Sequence, residues 1–555
     1  MAIKDSTLEE GEPGAAPNPP NIKISVAMTV GRAALLLSLM IALSRIAGFG
    51  RMMLTSYLYG ISPVTDAYNA AFNIPDTLTI LIAGGALATG FVPVFTEYLS
   101  KGEEDAARRT FRALFTLICL SFGLLTLILF ALTFTPYGTL LAPKQVDEET
   151  VVLYVHLLRI LLIAQFFYVI GGVFTGTLNA LRLFWYPALQ PVVFNVGIIV
   201  FGILLPRYFG MGIESQAWGA LVGAIVGSLI IQIPAVLRNG LSLQPLLDMN
   251  DPGVRRVLRS LLPIVFGLAS GQVIALNLPR FFATGLDPGP LTALDNANRL
   301  MQVPLAVLAS GSAIALFPTI SMLAAQGKLD EMRVQLAATL RRILLLMMLS
   351  TAIIAALSFP IVRVLLQHGR FTTDDSKKTA AVLFCYAFGL IGLGSQQLLA
   401  RGFYATQSTR APVFLGIVAM LIFCGLGSYM SYVQPLGAVG LATAAVIAVT
   451  ILAFLMWVFL RVKLGGWDDG ATLNILVKGG FASTAAYFAT LWAYRGADWL
   501  LNYGFDFPMA PASVKILARL GIIGFGALVG AAAFVLVAAV LRVPELGSLL
   551  RRRGR

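Results

Sequence analysis

Apolar stretches long enough to cross a bilayer recur along the whole chain, separated by short polar connections. Their centres fall near residues 44, 82, 122, 163, 196, 226, 267, 306, 346, 390, 421, 448, 483 and 528. A helix needs about 20 apolar residues to span the ~30 Å hydrocarbon core. In lipid its backbone groups must be satisfied within the segment, which leaves helices and closed barrels as the spanning structures. The pattern therefore predicts an all-α integral membrane protein with about fourteen transmembrane helices. Residues 1–26 are polar and rich in proline and glycine and read as a disordered cytoplasmic tail, and 546–555 as a basic cytoplasmic tail.

The polar interruptions repeat. Phe91, Pro93, Gly102, Asp105 and Arg108 return as Leu316, Pro318, Gly327, Asp330 and Arg333, and Pro187 returns as Pro412 at the same offset of 225. Slightly earlier the offset is 229, with Asp66, Asn69 and Pro75 answered by Asp295, Asn298 and Pro304. Three blocks in order indicate a duplication. The expected plan is an N-lobe of helices 1–6 (27–240) and a C-lobe of helices 7–12 (250–465) around a central cavity. Two extra helices (470–545) follow. An even-numbered repeat runs in the same sense, related by an axis along the membrane normal, with substrate held between the halves.

Composition sharpens the class. The chain has 555 residues, 58% hydrophobic and 12% charged, and a net charge of +13. That charge collects in alternate connections: Lys101, Arg108, Arg109 and Arg112; Arg238, Arg255, Arg256 and Arg259; Lys328, Arg333, Arg341 and Arg342. This is the positive-inside distribution, not a nucleic-acid footprint, and it places both termini in the cytoplasm. The connection 359–378, with Arg363, Arg370, Lys377 and Lys378, is the exception. Cys119, Cys385 and Cys424 lie apart in apolar segments, and the two histidines stand alone, so no metal site is expected. No Walker or dinucleotide motif occurs, so neither a cofactor nor direct use of ATP is expected.

Charge inside the spans is the candidate chemistry. Arg45 and Arg51 sit in the first apolar run, where an arginine at bilayer depth costs roughly 2.5–3.5 kcal/mol and normally faces a wet, protein-lined cavity. On an unbroken helix they would lie about 120° apart, and Gly48 and Gly50 between them offer a bend that brings both to one anion. Arg299 lies inside the eighth span, four residues after Asp295, which either pairs with it or caps the first turn. Three guanidinium forks suit a phosphate. Asp76 and Arg159 are deep enough to line the cavity, and Asp66 is either a cavity residue or a helix cap. Other polar residues in the spans are Glu97, Asn195, Arg280 and Arg401, and Pro75 and Pro304 are expected to kink corresponding helices. Glycines 219, 223 and 227, and 526 and 530, have the spacing of close helix packing.

These residues resemble those of the MurJ (MviN-type) lipid II flippases of the MATE-like exporter superfamily. The likeness rests on Ser44, Arg45, Gly48, Phe49 and Arg51, then Thr65, Asp66, Ala71, Phe72, Ile74 and Pro75. It continues in Gly85 and Ala86, Phe91 to Phe95 with Glu97 and Tyr98, Arg299 and Leu300 before Pro304, and Arg370 with Phe371. The resemblance implies export of an undecaprenyl-pyrophosphate-linked peptidoglycan precursor from the inner to the outer leaflet of the bacterial cytoplasmic membrane. It implies pyrophosphate binding by Arg45, Arg51 and Arg299, and a lipid-tail groove in the last two helices. It also implies a place beside cell-wall synthesis proteins. The sequence departs from the family pattern at Met52, where an Asp is usual, at Ile80 in place of an Arg, at Gly84 in place of a gating Glu, and at Asn298 in place of an acid. Sodium-linked polar positions are apolar around Val418 and Met420, leaving coupling to the membrane potential or to an unidentified ion gradient. Two other readings stand beside the flippase: a drug/cation antiporter of the same superfamily, and a non-transporting membrane scaffold for cell-wall synthesis.

Overall fold

In the computed structural model, residues 30–82, 86–140, 142–144, 146–259, 277–408, 410–504 and 512–550 are described. The expected tail 1–26, the span near residue 267, Gly84 and residues 551–555 lie outside them. The described elements are helices, and among the described residues there is no strand. Ten helical runs there are long and apolar enough to cross a membrane.

The first half opens with α1 (Val30–Tyr59) and turns into α2 (Pro63–Ala71), α3 (Asn73–Ile82) and α4 (Ala86–Ser100). It continues with α5 (Glu104–Leu132), α6 (Glu148–Ala180) and α7 (Trp185–Phe209), then α8 (Glu214–Ile225), a π-helical turn and α9 (Gln232–Arg238). The second half holds α10 (Leu278–Ala283) and α11 (Pro290–Pro304), a π segment Leu305–Ser310 and α12 (Gly311–Ala325). Then come α13 (Leu329–Leu366), α14 (Thr373–Ala405), α15 (Arg410–Ser428) and α16 (Gly437–Lys463). The last elements are α17 (Asp469–Gly504), α18 (Ala512–Val540) and α19 (Pro544–Leu550).

The repeat extends to element ends. Helices α4, α5 and α6 begin 225 residues before α12, α13 and α14, and α6 and α14 also end 225 apart. Gly102 and Gly327 have φ of 75° and 74°, a left-handed conformation that glycine adopts without a Cβ penalty. Each sits in a Schellman cap: Glu103 N–H donates to the Tyr98 carbonyl in one half, Lys328 N–H to the Leu323 carbonyl in the other, both at 2.9 Å. The segments that leave the two halves match as well. Arg108 donates to the Gly240 carbonyl at 3.2 Å, and Arg333 to the Gly465 carbonyl at 3.4 Å. Along the first of these, Arg109 pairs with Asp248 at 2.5 Å and holds its carboxyl below the usual range.

Small residues set how closely neighbours approach. A Cβ on Gly219 would stand 2.5 Å from the Gly197 carbonyl oxygen, and one on Gly223 2.9 Å from the Phe194 Cα, so α8 lies directly on α7. A Cβ on Gly530 would run into Thr490 of α17, in the same way. Both contacts are the packing that the glycine spacing predicts.

Prolines interrupt the helices that face each other across the halves. Pro75 has no N–H to donate to Ala71, and the backbone breaks between α2 and α3 at Phe72, three residues earlier. Pro304 ends α11, and the next residues widen into the π segment. Pro75 is buried and Pro304 half-buried. The bend expected at Gly48 and Gly50 is not an interruption: α1 runs through both as one helix. A Cβ on Gly48 would come no closer than 3.8 Å to the Asn195 side chain, and one on Gly50 3.4 Å from Ile199, so these glycines serve contact with α7.

Candidate functional site

A cavity of about 430 Å³ lies between the halves, within the ~300–1,000 Å³ typical of ligand sites. It is lined by Arg45, Gly48 and Arg51 of α1, Asp76 of α3, Asn195 of α7, Arg280 of α10, and Asn298, Arg299 and Gln302 of α11, together with Ser44 and Phe49. The structure thus brings Arg45, Arg51 and Arg299 to one cavity. No break in α1 is needed, because long side chains about 120° apart on one helix can flank the same space.

The arginines differ in setting. Arg45 is exposed, whereas Arg51 is 8% exposed and its guanidinium stands 5.5 Å from the Phe72 ring centroid, a cation–π contact. The Arg299 side chain is 32% exposed, with Nη2 at 3.7 Å from Asp295 Oδ2. Asp295 has a stronger partner. Arg280 donates from Nε at 2.5 Å and from Nη2 at 2.9 Å to its two carboxylate oxygens, a bidentate fork in which both side chains are 3% exposed. The third nitrogen, Nη1, donates to Asp76 Oδ2 at 3.0 Å, across the boundary between halves. Asp295 therefore neither caps its helix nor chiefly serves Arg299; it anchors Arg280. Asn298 is buried and accepts from Gln302 Nε2 at 2.6 Å.

Asp66 is not in the cavity wall. It crosses the seam between halves, accepting from the backbone N–H of Gly289 at 2.5 Å and of Thr292 at 2.9 Å, and from the Thr292 hydroxyl at 2.5 Å. It is a cap, one of the two roles expected of it, but for α11 of the other half. The rest of the seam lies nearby. Asn69 donates to Thr292 at 3.2 Å, Asn277 donates to Thr77, Lys144 N–H donates to the Thr284 carbonyl at 2.8 Å, and Arg370 N–H donates to the Tyr57 carbonyl at 2.9 Å. All but the Thr77–Asn277 bond sit at the end carrying the turns near residues 60, 285 and 369.

Arg159 also falls outside the cavity, contrary to expectation. It donates to the Thr133 hydroxyl at 2.9 Å and carbonyl at 3.1 Å and lies 3.9 Å from the Phe134 ring centroid, so it ties α6 to the end of α5. The reason is its partners: Thr133 and Phe134, just past the end of α5, stand against this part of α6 and take up the guanidinium. Met52 is buried in the apolar core, away from the cavity lining. Sequence reading gave Arg280 no role. Its signal was an arginine after Asn277 and Pro279 in an otherwise apolar run. Among the described residues no cluster of His, Cys, Asp and Glu has the makings of a metal site.

Comparison with known proteins gives a consistent picture. A family model described as Lipid II flippase MurJ matches residues 55–507, a stretch that includes Asp66, Asp76, Arg280 and Arg299 and begins just after Arg51. The "Probable lipid II flippase MurJ" of Bdellovibrio bacteriovorus is 30% identical over 440 residues, 78% of this chain and 82% of that protein. The "Lipid II flippase MurJ" of Burkholderia cenocepacia is 28% identical over 438 residues, 78% of this chain and 84% of its own. Among solved structures, "Lipid II flippase MurJ, inward closed conformation" superposes with a TM-score of 0.70 at 22% identity, covering 93% of this chain and all of that one. An inward-facing multidrug resistance MATE family transporter of the MOP superfamily superposes at 0.63 with 15% identity, over 78% of this chain and 98% of its own. The last two are likenesses of fold.

Proposed function

The chain belongs to the lipid II flippase MurJ family, and we propose on that premise that it carries lipid II, a polyprenyl-pyrophosphate glycolipid, from the inner to the outer leaflet by alternating access. The observation that carries this reading at the level of chemistry is the cavity itself. Four arginines, Arg45, Arg51, Arg280 and Arg299, meet one lining carboxylate, Asp76, with Asp295 behind it. The surplus is positive and suits a pyrophosphate dianion. A cationic drug would be repelled by the same wall, which disfavours the antiporter reading.

The protein is a multi-pass membrane protein. With the Lys- and Arg-rich connections on the cytoplasmic side, both termini are cytoplasmic and the closed seam at Asp66 and Thr292 faces outward. The cavity then takes its headgroup from the cytoplasmic side. Coupling is by the membrane potential or an ion gradient: each charge moved across 100 mV is worth about 2.3 kcal/mol, so a dianion moving outward gains roughly 4–5 kcal/mol. Purified protein in vesicles with labelled lipid II tests the reading. Loss of flipping in Arg299→Ala, with binding weakened ~10-fold or more, is expected. A normally folded Arg299→Ala that flips at the unaltered rate would overturn it.

A further inference from the structure

We propose that Arg280 is a crossbar between the halves that a bound anionic headgroup unlocks by taking the place of Asp76. This deepens, and rests on, the pyrophosphate reading above. The geometry divides Arg280 into two unequal arms. Nε and Nη2 form a buried fork on Asp295, within the second half and only 15 residues away along the chain. Nη1 makes a single bond at 3.0 Å to Asp76 of the first half. The Asp76 side chain is 35% exposed, whereas those of Arg280 and Asp295 are 3% exposed.

Those differences decide which bond yields. A bidentate pair out of water is expensive to break, because one partner would be left buried and uncompensated. A single bond from a half-exposed carboxylate is screened and can be exchanged with water at little loss. An anion seated between Arg51 and Arg299 lies in the cavity that Asp76 and Arg280 also line. It repels the Asp76 carboxylate and offers Nη1 a phosphate oxygen in its place. Arg280 stays fixed on Asp295, and the link between the halves is lost. The Asn277–Thr77 bond, made by the neighbour of Asp76 and by the residue about one turn before Arg280, loosens with it.

In the empty protein the crossbar helps to hold the seam shut; in the loaded one the seam rests on the contacts of Asp66, Asn69, Lys144 and Tyr57. Loading thus favours opening at that end. Arg280 acts through the arrangement of the halves, and is a positioning residue.

The test uses the full chain in liposomes, with its three native cysteines replaced and a reporter introduced as Ile61→Cys. Ile61 lies across the seam from Gly289, where an added Cβ would come within 2.9 Å of it. Labelling by a membrane-impermeant maleimide reads seam opening, and a short-chain prenyl pyrophosphate serves as the headgroup probe. Its binding is measured separately by calorimetry. The probe is expected to raise labelling in the parent, and Asp76→Asn to label more than the parent without it, with an open-to-closed ratio shifted by up to about 5-fold. Asp76→Glu, which keeps the charge, should restore dependence on the probe. Thermal stability of each variant, measured alongside, separates opening from misfolding. Asp76→Asn labelling like the parent would overturn the crossbar, as would a probe that binds without raising parental labelling. A probe that does not bind would overturn the pyrophosphate reading, and the crossbar with it.

Discussion

The carboxylate of Asp66 closes the N-terminus of the helix that begins beside Thr292, although the two residues belong to different halves and lie 226 apart in the chain. A helix start leaves backbone N–H groups without partners, and a side-chain acceptor there is worth about 0.5–2 kcal/mol. Here the acceptor belongs to the other half, so every opening of the seam uncaps α11. The seam's strength therefore includes a helix cap, which water replaces only in part when the halves separate.

Asp66→Ala should accordingly open the seam. The expected loss is about 1–3 kcal/mol for three contacts to one ionised group, a ~5- to 150-fold shift toward the open form. Thr292→Val, which keeps the shape and the backbone donor but deletes the hydroxyl, should give a smaller shift. Accessibility of a single cysteine at Ile61 reads both. Equal labelling of Asp66→Ala and the parent would mean that the cap contributes nothing to closure.

Arg51 and Arg45 should not respond alike. Arg51 is 8% exposed and flanked by Phe72, whereas Arg45 is exposed. A charge-assisted bond is worth about 1.5–3 kcal/mol when desolvated and about 0–1 kcal/mol at an exposed site. Arg51→Ala should weaken headgroup binding ~10- to 150-fold and Arg45→Ala by less than ~5-fold. Arg51→Lys should fall between, since it retains charge and loses the fork. Titration with the same pyrophosphate probe ranks the three, and a reversed order would remove burial as the governing factor.

Arg159 belongs to stability. Its two bonds to Thr133 and its stacking on Phe134 join α5 to α6 outside the cavity lining. Arg159→Ala should lower unfolding stability by about 1–3 kcal/mol while leaving the affinity for the probe unchanged. A thermal melt and a binding isotherm on one preparation suffice. Weakened binding with an unaltered melting temperature would return Arg159 to the site.

What the sequence made legible follows from which interactions are local. Helix existence, the duplication and even the left-handed caps at Gly102 and Gly327 are written in periodicity and turn residues. The convergence of Arg45, Arg51 and Arg299 could be anticipated because buried charge in lipid demands a wet cavity. The identity of partners could not. Asp295 stands one helical turn before Arg299, yet its closer partner is Arg280 on a different helix, at 2.5 Å against 3.7 Å. Asp66 sits in the first turn of α2, but Ser62 caps that helix and the carboxylate reaches the other half. Spacing along one helix says what can meet; tertiary placement chooses among the candidates. Arg159 makes the same point: its place within an apolar helix was legible, but its partners, Thr133 and Phe134, come from the end of α5.

Two glycines interlock across the seam. Gly60 and Gly369 have φ of 62° and 60°, a conformation that disfavours any side chain. A Cβ on Gly369 would stand 2.3 Å from the Tyr57 carbonyl oxygen, and one on Gly60 2.6 Å from that of Arg370. Neither atom can withdraw freely, because the Arg370 N–H donates to that same Tyr57 oxygen at 2.9 Å. An alanine at either place thus combines backbone strain of order 1–3 kcal/mol with a clash that separating the halves relieves. Opening removes the clash and leaves the strain, so the substitution penalises the closed form more than the open one. Gly369→Ala should therefore raise labelling at Ile61→Cys in the absence of any headgroup. It should also slow flipping, because the return to the closed form becomes the harder step. Gly425→Ala, where an added Cβ meets nothing within 4 Å and the backbone is ordinary helix, provides the matched control and should change neither measurement. If Gly369→Ala labelled and flipped like Gly425→Ala, the close approach at Tyr57 would have no part in closing the seam.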